Sequence, residues 1–311
     1  MGKDNNSPSR SVFVFGSLNM DVSLEVKKVP ESGETVAGQN LLLSPGGKGA
    51  NQAVASAKAK APTFLCGAVG ADEFGEEILC QAKAANVDVS GVRKLDSASG
   101  VAVILLHRHD NRIIVSGGAN EKVTASMADV LFAKAQSGDI ILSQFELNKN
   151  AVAEVFAKAK KEGLFTILNP TPVSAMPANL WGDTDLLALN EGECAFYSGI
   201  LPSDEEKVKK AFLVLKKLGT KALLVTLGSK GSAYCDDSQF FFAKACSVDA
   251  IDTTGAGDTF IGYFAASLAR GESIEKAMKI SSCASGLACT KRGAQKSMPS
   301  LRETLNYLAS F

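Results

Sequence analysis

Histidine is nearly absent from these 311 residues; His107 and His109 are the only two, and they sit two apart in one segment. Triad and imidazole acid–base chemistry are therefore disfavoured. A shared strand face would let the two bind a metal. No thiol or carboxylate motif joins them, Asp110 being the nearest acid, so they read as exposed hairpin residues. Cys-x-x-Cys is also missing. The seven cysteines (66, 80, 194, 235, 246, 283, 289) are odd in number and scattered, which argues against a disulfide framework and a zinc site and fits a reducing cytosol. Cys283 and Cys289 read as packing residues of a small-residue helix. Charge of one sign is not in excess, Lys+Arg and Asp+Glu both numbering 33. No net field gathers nucleic acid or an anionic membrane, and neither partner is expected. Glu205–Lys217 alternates sign like a solvated helix. There is no stretch of about 18 uninterrupted apolar residues, and residues 1–10 are polar with no apolar run behind them. Neither a membrane span nor a secretion signal is expected, so the chain reads as cytoplasmic, with small molecules as its partners.

What is present is apolar material in short runs: 46% of residues are apolar and 21% charged, enough for one large domain with or without an appendage. Val12–Phe15, Thr63–Cys66, Asp139–Leu142, Phe165–Leu168, Leu186–Leu189 and Ala222–Thr226 read as buried strands. Between and after them Ala50–Ala59, Glu76–Ala85, Ala151–Lys160, Glu205–Leu218, Ile274–Cys289 and Leu301–Leu308 have helical period. Alternation of this kind predicts a three-layer α/β/α fold, Rossmann-like, around a mostly parallel sheet. Two segments break it. Asp21–Leu43 reads as extended chain turning at Pro30 and Gly33, and Val101–Val115 as two strands around 109–112. Together they predict a small antiparallel β lid, about 22–44 and 98–117, over the carboxyl ends of the parallel strands, where ligands sit in open sheets. A small two-sided sheet cannot bury Val103, Leu105, Ile113 and Val115 alone, so the lid is also the expected homodimer surface. The domain expectation is a flexible polar tail at 1–10 and one unit at 11–311.

Two glycine-rich stretches carry the chemistry. In Asp252-Thr253-Thr254-Gly255-Ala256-Gly257-Asp258, successive N–H groups can turn toward one anion at the positive end of the helix that follows. Asp258 is then either a helix-start carboxylate or a base beside a phosphate. Upstream, Ser44-Pro45-Gly46-Gly47-Lys48-Gly49-Ala50-Asn51 is not a P-loop, because Gly49 follows the lysine where a hydroxyl residue is required, and Gly-x-Gly-x-x-Gly is absent after a strand. Close backbone approach at Gly46 and Gly47, then a cation and an amide from Lys48 and Asn51, suits a polyol. Read alone, it is more simply a solvated helix start.

Taken as a pair about 200 residues apart, the two stretches resemble the signatures of the ribokinase-like carbohydrate kinase family. The resemblance extends over residues 11–311 through Gly16–Asp21, Gly117–Asn120, Asn169-Pro170, Asn190–Glu193, Thr226–Gly231 and Arg292–Gln295. It implies ATP-dependent phosphorylation of D-ribose at the 5-hydroxyl, with Asp258 as general base and an anion hole formed by Gly255, Ala256, Gly257 and Asp258. The sugar would lie against Asn19, Asp21, Gly47, Lys48, Asn51, Glu146 and Asp258, with Asp21 reading the vicinal hydroxyls. ATP would lie along Asn190, Thr226, Gly228, Ser229, Gly231, Ala256, Gly257 and Ser282. Glu193 would hold Mg2+ through water, unless it is a surface helix residue. The resemblance also implies a K+ site at Asp252, Thr254, Ala288, Lys291, Gly293 and Ser297, mostly through backbone carbonyls, which lets Lys291 stand where Arg is expected. Asp252 could instead pair with Lys291 or Arg292. The other readings are a sibling kinase acting on 2-deoxyribose, fructose or adenosine, and a non-catalytic sugar-binding regulator.

Overall fold

The computed structural model describes residues 10–107 and 110–310. Residues 1–9, nearly all of the expected tail, and His109 lie outside the described residues. In chain order the elements are β1 (Val12–Phe15), β2 (Asn19–Val26), β3 (Gly38–Gly46), α1 (Lys48–Lys58), β4 (Thr63–Gly70), α2 (Glu73–Ala84), β5 (Asp88–Leu95), β6 (Gly100–His107), β7 (Asp110–Ser116), α3 (Asp129–Phe132), β8 (Ile140–Gln144), α4 (Lys149–Lys161), β9 (Phe165–Asn169), α5 (Ala178–Gly182), β10 (Leu186–Asn190), α6 (Glu191–Ser198), α7 (Glu205–Leu218), β11 (Ala222–Thr226), β12 (Ser232–Cys235), β13 (Phe240–Ala243), α8 (Ala256–Ala269), α9 (Ile274–Ala288) and α10 (Leu301–Leu308).

The main sheet runs β13-β12-β11-β10-β9-β8-β1-β4-β5, parallel from β11 to β5 and antiparallel at β12 and β13. β1 shows why it sits near the middle. All four of its side chains are buried, Val12 and Val14 in one core and Phe13 and Phe15 in the other. A strand covered on both faces reads as an unbroken apolar run for that reason. Helices α1, α2, α8, α9 and α10 cover the first face, and α3 to α7 the second. The helix starts are fixed locally: Asp72 caps α2 through Gly75 N at 2.8 Å, and reciprocal Asn190–Glu193 and Ser300–Glu303 boxes open α6 and α10. Each such cap contributes about 1 kcal/mol.

A second sheet, β3-β2-β6-β7, stands apart from the first, with β2 and β6 parallel and the two outer pairings antiparallel. Apolar side chains are exposed on both of its faces. Leu41 is 67% exposed and Ile114 65%, and Leu42, Leu43, Ile113 and Val115 are exposed beside them. His107 is half-buried and its Nδ1 lies 3.1 Å from Val26 O, so its ring ties β6 to the end of β2 and is not a free hairpin residue.

Candidate active site

The parallel strands β1, β8, β9, β10 and β11 all deliver polar residues at or just past their carboxyl ends: Ser17 and Asn19, Gln144 and Glu146, Asn169, Asn190, and Thr226. That edge of an open sheet is where the chain leaves the plane and side chains converge on one crevice. α1 and α8 arrive over the same edge. Their N-termini approach closely because glycine allows it. A Cβ at Gly49 would lie 2.5 Å from the Gly16 backbone, and Ala50 N donates to Ser17 O at 2.9 Å. Gly255, with φ of 74°, occupies the left-handed region at the start of α8.

Between these ends lies a cleft of about 230 Å³ lined by Lys48, Asn169, Asn190, Glu193, Thr226, Gly255, Gly257 and Asp258, with apolar walls from Ala188, Leu189, Leu224 and Ile261. Asp258, in the first turn of α8, is buried. Its Oδ2 accepts from Asn51 Nδ2 at 3.0 Å and its Oδ1 from Gln52 Nε2 at 2.9 Å. The two glycine-rich stretches, about 200 residues apart in the chain, therefore meet through hydrogen bonds to one carboxylate. Ala256 N–H is turned to Thr253 O at 3.1 Å, which narrows the expected anion hole to the remaining N–H groups of the loop.

Lys48 stands among carboxylates. Asp258 above all raises its pKa, against burial, with Glu146, Glu193 and Asp21 adding to the effect, so the ammonium stays charged. Asp21 sits against the Gly46 backbone, where any side chain would collide with its carboxylate. Its pKa is pushed up to about 7 by burial first, then by Glu146 and Asp258, with Lys48 opposing. Glu146 accepts from Ser17 Oγ at 2.5 Å and Lys48 N at 3.0 Å. Asn19 is buried, its Oδ1 receiving Asn120 Nδ2 at 2.8 Å, while Asn120 also spans the Leu18 N–H and carbonyl. Gly47 is buried beside Asn19. Asn19, Asp21, Gly47, Lys48, Asn51, Glu146 and Asp258 are neighbours around the start of α1; of them Lys48 and Asp258 line the cleft, and the other five do not.

At the other end, Glu193 is buried and held from several sides. Thr171 Oγ1 donates to its Oε1 at 2.5 Å, Asn190 Nδ2 donates to the same oxygen at 2.9 Å, and Asn190 N to Oε2 at 2.9 Å. This is a box-capping carboxylate at a cleft wall, not a surface helix residue. Asn190, Thr226 and Gly257 line the cleft; Gly228, Ser229, Gly231, Ala256 and Ser282 are not among its lining residues. Gly228 and Ser229 form the exposed short turn after β11, and Ser282 is buried, its Oγ 3.4 Å from Ser232 Oγ.

Behind the α8 loop, Asp252 Oδ1 accepts from Thr254 N and Oδ2 from Gly293 N, both at 2.9 Å. Burial opposes, but these bonds and the nearby Arg292 hold its carboxyl below the usual range. Arg292 itself pairs with Glu25, 3.8 Å away, and not with Asp252. Lys291 N donates to Ala288 O at 3.3 Å, and Ser297 Oγ to Ala294 O at 2.8 Å. Among the described residues no group of three acids, histidines or cysteines could hold a metal ion.

Ser17, Gln52, Asn120, Asn169 and Thr171 carry no role that the sequence made evident, yet they orient the residues that do. Gln52 leaves a signal there: it is the amide between Ala50, Ala53, Val54 and Ala55 on an otherwise small apolar helix face.

The pfkB family carbohydrate kinase model matches residues 9–301. A ribokinase of Staphylococcus aureus (strain COL) is 36% identical over 301 residues, covering 95% of this chain and 98% of that protein. A deoxyribokinase of Salmonella typhi is 29% identical over 96% of this chain and 98% of its own. The structure of Arabidopsis thaliana ribokinase complexed with ribose and ATP superposes with a TM-score of 0.89 at 31% identity, covering 96% of this chain and 99% of that one.

Proposed function

The chain belongs to the pfkB family of carbohydrate kinases, and from that premise we propose that it is an ATP-dependent ribokinase, transferring the γ-phosphoryl group of ATP to the 5-hydroxyl of D-ribose. The observation that carries the reading is the convergence on Asp258. A buried carboxylate in the first turn of a helix, bonded to Asn51 and Gln52, lines the same cleft as Lys48 and Glu193. Phosphoryl transfer asks the protein for alignment, charge neutralisation and removal of one proton. Asp258 takes the proton from the 5-hydroxyl as its oxygen bonds to the γ-phosphorus and the bond to the β-phosphate oxygen breaks, releasing ADP. The N–H groups of Gly255, Gly257 and Asp258 at the start of α8 form the anion hole for the transferring group, the Ala256 N–H being engaged by Thr253 O, and the helix dipole adds to their pull. Lys48, kept charged by its acidic neighbours, balances the charge that builds there.

Asn19, Asp21, Gly47, Lys48, Asn51 and Glu146 bind the sugar hydroxyls. Asn51 still has one amide hydrogen after serving Asp258, and Asp21 and Glu146 accept where hydroxyls donate. A set built this way rejects a sugar lacking a hydroxyl because its buried groups are then left unpaired. Asn190, Thr226, Gly228, Ser229, Gly231, Ala256, Gly257 and Ser282 form the nucleotide side, and Staphylococcus aureus ribokinase and Arabidopsis ribokinase with ribose and ATP support the substrate assignment.

Both Glu193 oxygens already accept from protein donors, which fits Mg2+ held through water and not by direct ligation. Bound there, the ion would neutralise phosphate charge. The donor set around Asp252, Thr254, Ala288, Lys291, Gly293 and Ser297 is carbonyl and hydroxyl with one carboxylate, which fits K+ better than a divalent ion. The kinase unit spans 11–311 with its lid at about 22–44 and 98–117, and the exposed apolar residues of that lid support a homodimer, the whole working in the cytoplasm. The test is ADP formation with ribose, 2-deoxyribose, fructose and adenosine in parallel, with magnesium and with or without potassium. Ribose-dependent turnover raised by potassium is expected. Preference for 2-deoxyribose would transfer the site to a sibling activity, and no turnover with any acceptor would leave a sugar-binding regulator.

A further inference from the structure

Asp258 meets α1 through two amides, and only one of them can reach a substrate. Asn51, proposed to meet the sugar, keeps slight exposure at 6%, whereas Gln52 is fully buried. Gln52 Nε2 donates to Asp258 Oδ1 at 2.9 Å and to Asn169 Oδ1 at 3.1 Å, and its Oε1 receives Gln144 Nε2 at 2.5 Å. From Asn169 the chain of bonds continues: Nδ2 to Thr171 Oγ1 at 3.2 Å, then Thr171 Oγ1 to Glu193 Oε1 at 2.5 Å. We propose that Gln52 is a positioning residue for phosphoryl transfer, fixing the Asp258 carboxylate directly and tying it through Asn169 and Thr171 to Glu193 at the nucleotide end of the cleft. The proposal rests on the reading of Asp258 as base.

The direction of every bond in this relay is determined by one acceptor. Asn169 Nδ2 also donates to Ala188 O at 3.0 Å, and a backbone carbonyl can only accept. Asn169 therefore presents its oxygen to Gln52, Gln52 must present its nitrogen, and that nitrogen also reaches Asp258. The same accounting makes Asp258 an acceptor at both oxygens, from consecutive residues of one helix. Two donors on one carboxylate remove its freedom to rotate, and the reacting geometry tolerates little: displacement by about 1 Å can cost about 100-fold in rate. Gln144 Oε1 is buried without a partner among the described protein atoms.

The test compares Gln52→Met, which keeps length and approximate volume but removes both amide atoms, with Asp258→Asn and the double variant. The expected result is a fall in kcat of about 100-fold for Gln52→Met, with KM for ribose and for ATP within about threefold, and no further fall when it is added to Asp258→Asn, since residues acting as one unit are not additive. A kcat within about twofold of wild type, or the same loss in both backgrounds, would overturn the proposal. If Asp258→Asn alone keeps wild-type turnover, the base reading fails and the proposal with it, an outcome distinct from Gln52→Met being silent while Asp258→Asn is inactive. Should Gln52→Met not fold, Gln52→Glu asks the same question through pH. The introduced carboxyl can donate to Asp258 only while protonated, so kcat of this variant should fall on the alkaline side where wild type stays level. A profile parallel to wild type would overturn the proposal.

Discussion

Replacing Asp21 with asparagine should make the protein more stable at pH 8 while crippling it. Asp21 lies in a group of three carboxylates, with Glu146 and Asp258, against the single ammonium of Lys48, and its pKa rises from 3.8 to about 7 through burial first and then those like charges. The native state thus holds a proton that the unfolded chain releases near 3.8. This contribution to stability is complete below that value and is lost as pH rises through about 7. A shift of about three units corresponds to about 4 kcal/mol as a ceiling. Because the side chain retains some solvent contact and shares its titration with its neighbours, about 2 kcal/mol is the working figure. Asparagine has the shape without the titration. Urea unfolding of wild type and Asp21→Asn at pH 5 and pH 8 should show the variant ahead at both, by less than about 1 kcal/mol at pH 5, where the loss is under way, and by about 2 kcal/mol at pH 8, where it is complete. The variant's KM for ribose should rise by at least about 100-fold, because a buried acceptor for a sugar hydroxyl is gone. Parallel stability curves for the two proteins would refute the assignment of the proton to this cluster.

Gly49→Ala places a Cβ 2.5 Å from the Gly16 backbone, and the forced separation of α1 from the β1 turn should lower stability by about 2–3 kcal/mol in urea unfolding. Asn120→Ala removes three buried bonds, at the Leu18 N–H, the Leu18 carbonyl and Asn19 Oδ1; a loss of about 2–3 kcal/mol is expected, together with a raised KM for ribose as Asn19 loosens. Ile114→Lys, at a site 65% exposed in the second sheet, should convert a dimer to monomer in sedimentation, and a wild type already monomeric would remove the lid-dimer proposal.

Element type is legible in the sequence where burial is two-sided. The run Val12–Phe15 can only be a covered strand, and it is one, fully buried. β5, β12 and β13 give no comparable signal. β5 is a largely polar edge strand that neither alternates cleanly nor runs apolar, and β12 and β13 are four-residue strands joined by a turn built on Asp236, whose carboxylate holds Ser238 N and Gln239 N. The parallel pairing of β2 with β6 joins segments about 80 residues apart, and no local pattern encodes it. In the site, glycine-rich loops at helix starts signal anion handling because the backbone supplies the chemistry. Gln52 and Asn120 escape notice because a buried amide has meaning only through partners far along the chain, 206 residues away for the Gln52–Asp258 bond.

Everything proposed for the site depends on Asp258 removing the proton of the sugar hydroxyl without itself holding the nucleotide. Single-turnover phosphorylation of ribose by Asp258→Asn, with ATP affinity measured on the same preparation, separates those two roles. Transfer should slow by about 10³-fold while ATP affinity stays within about threefold of wild type. Transfer near the wild-type rate, or ATP affinity lost along with it, would contradict the assignment of Asp258 as the base.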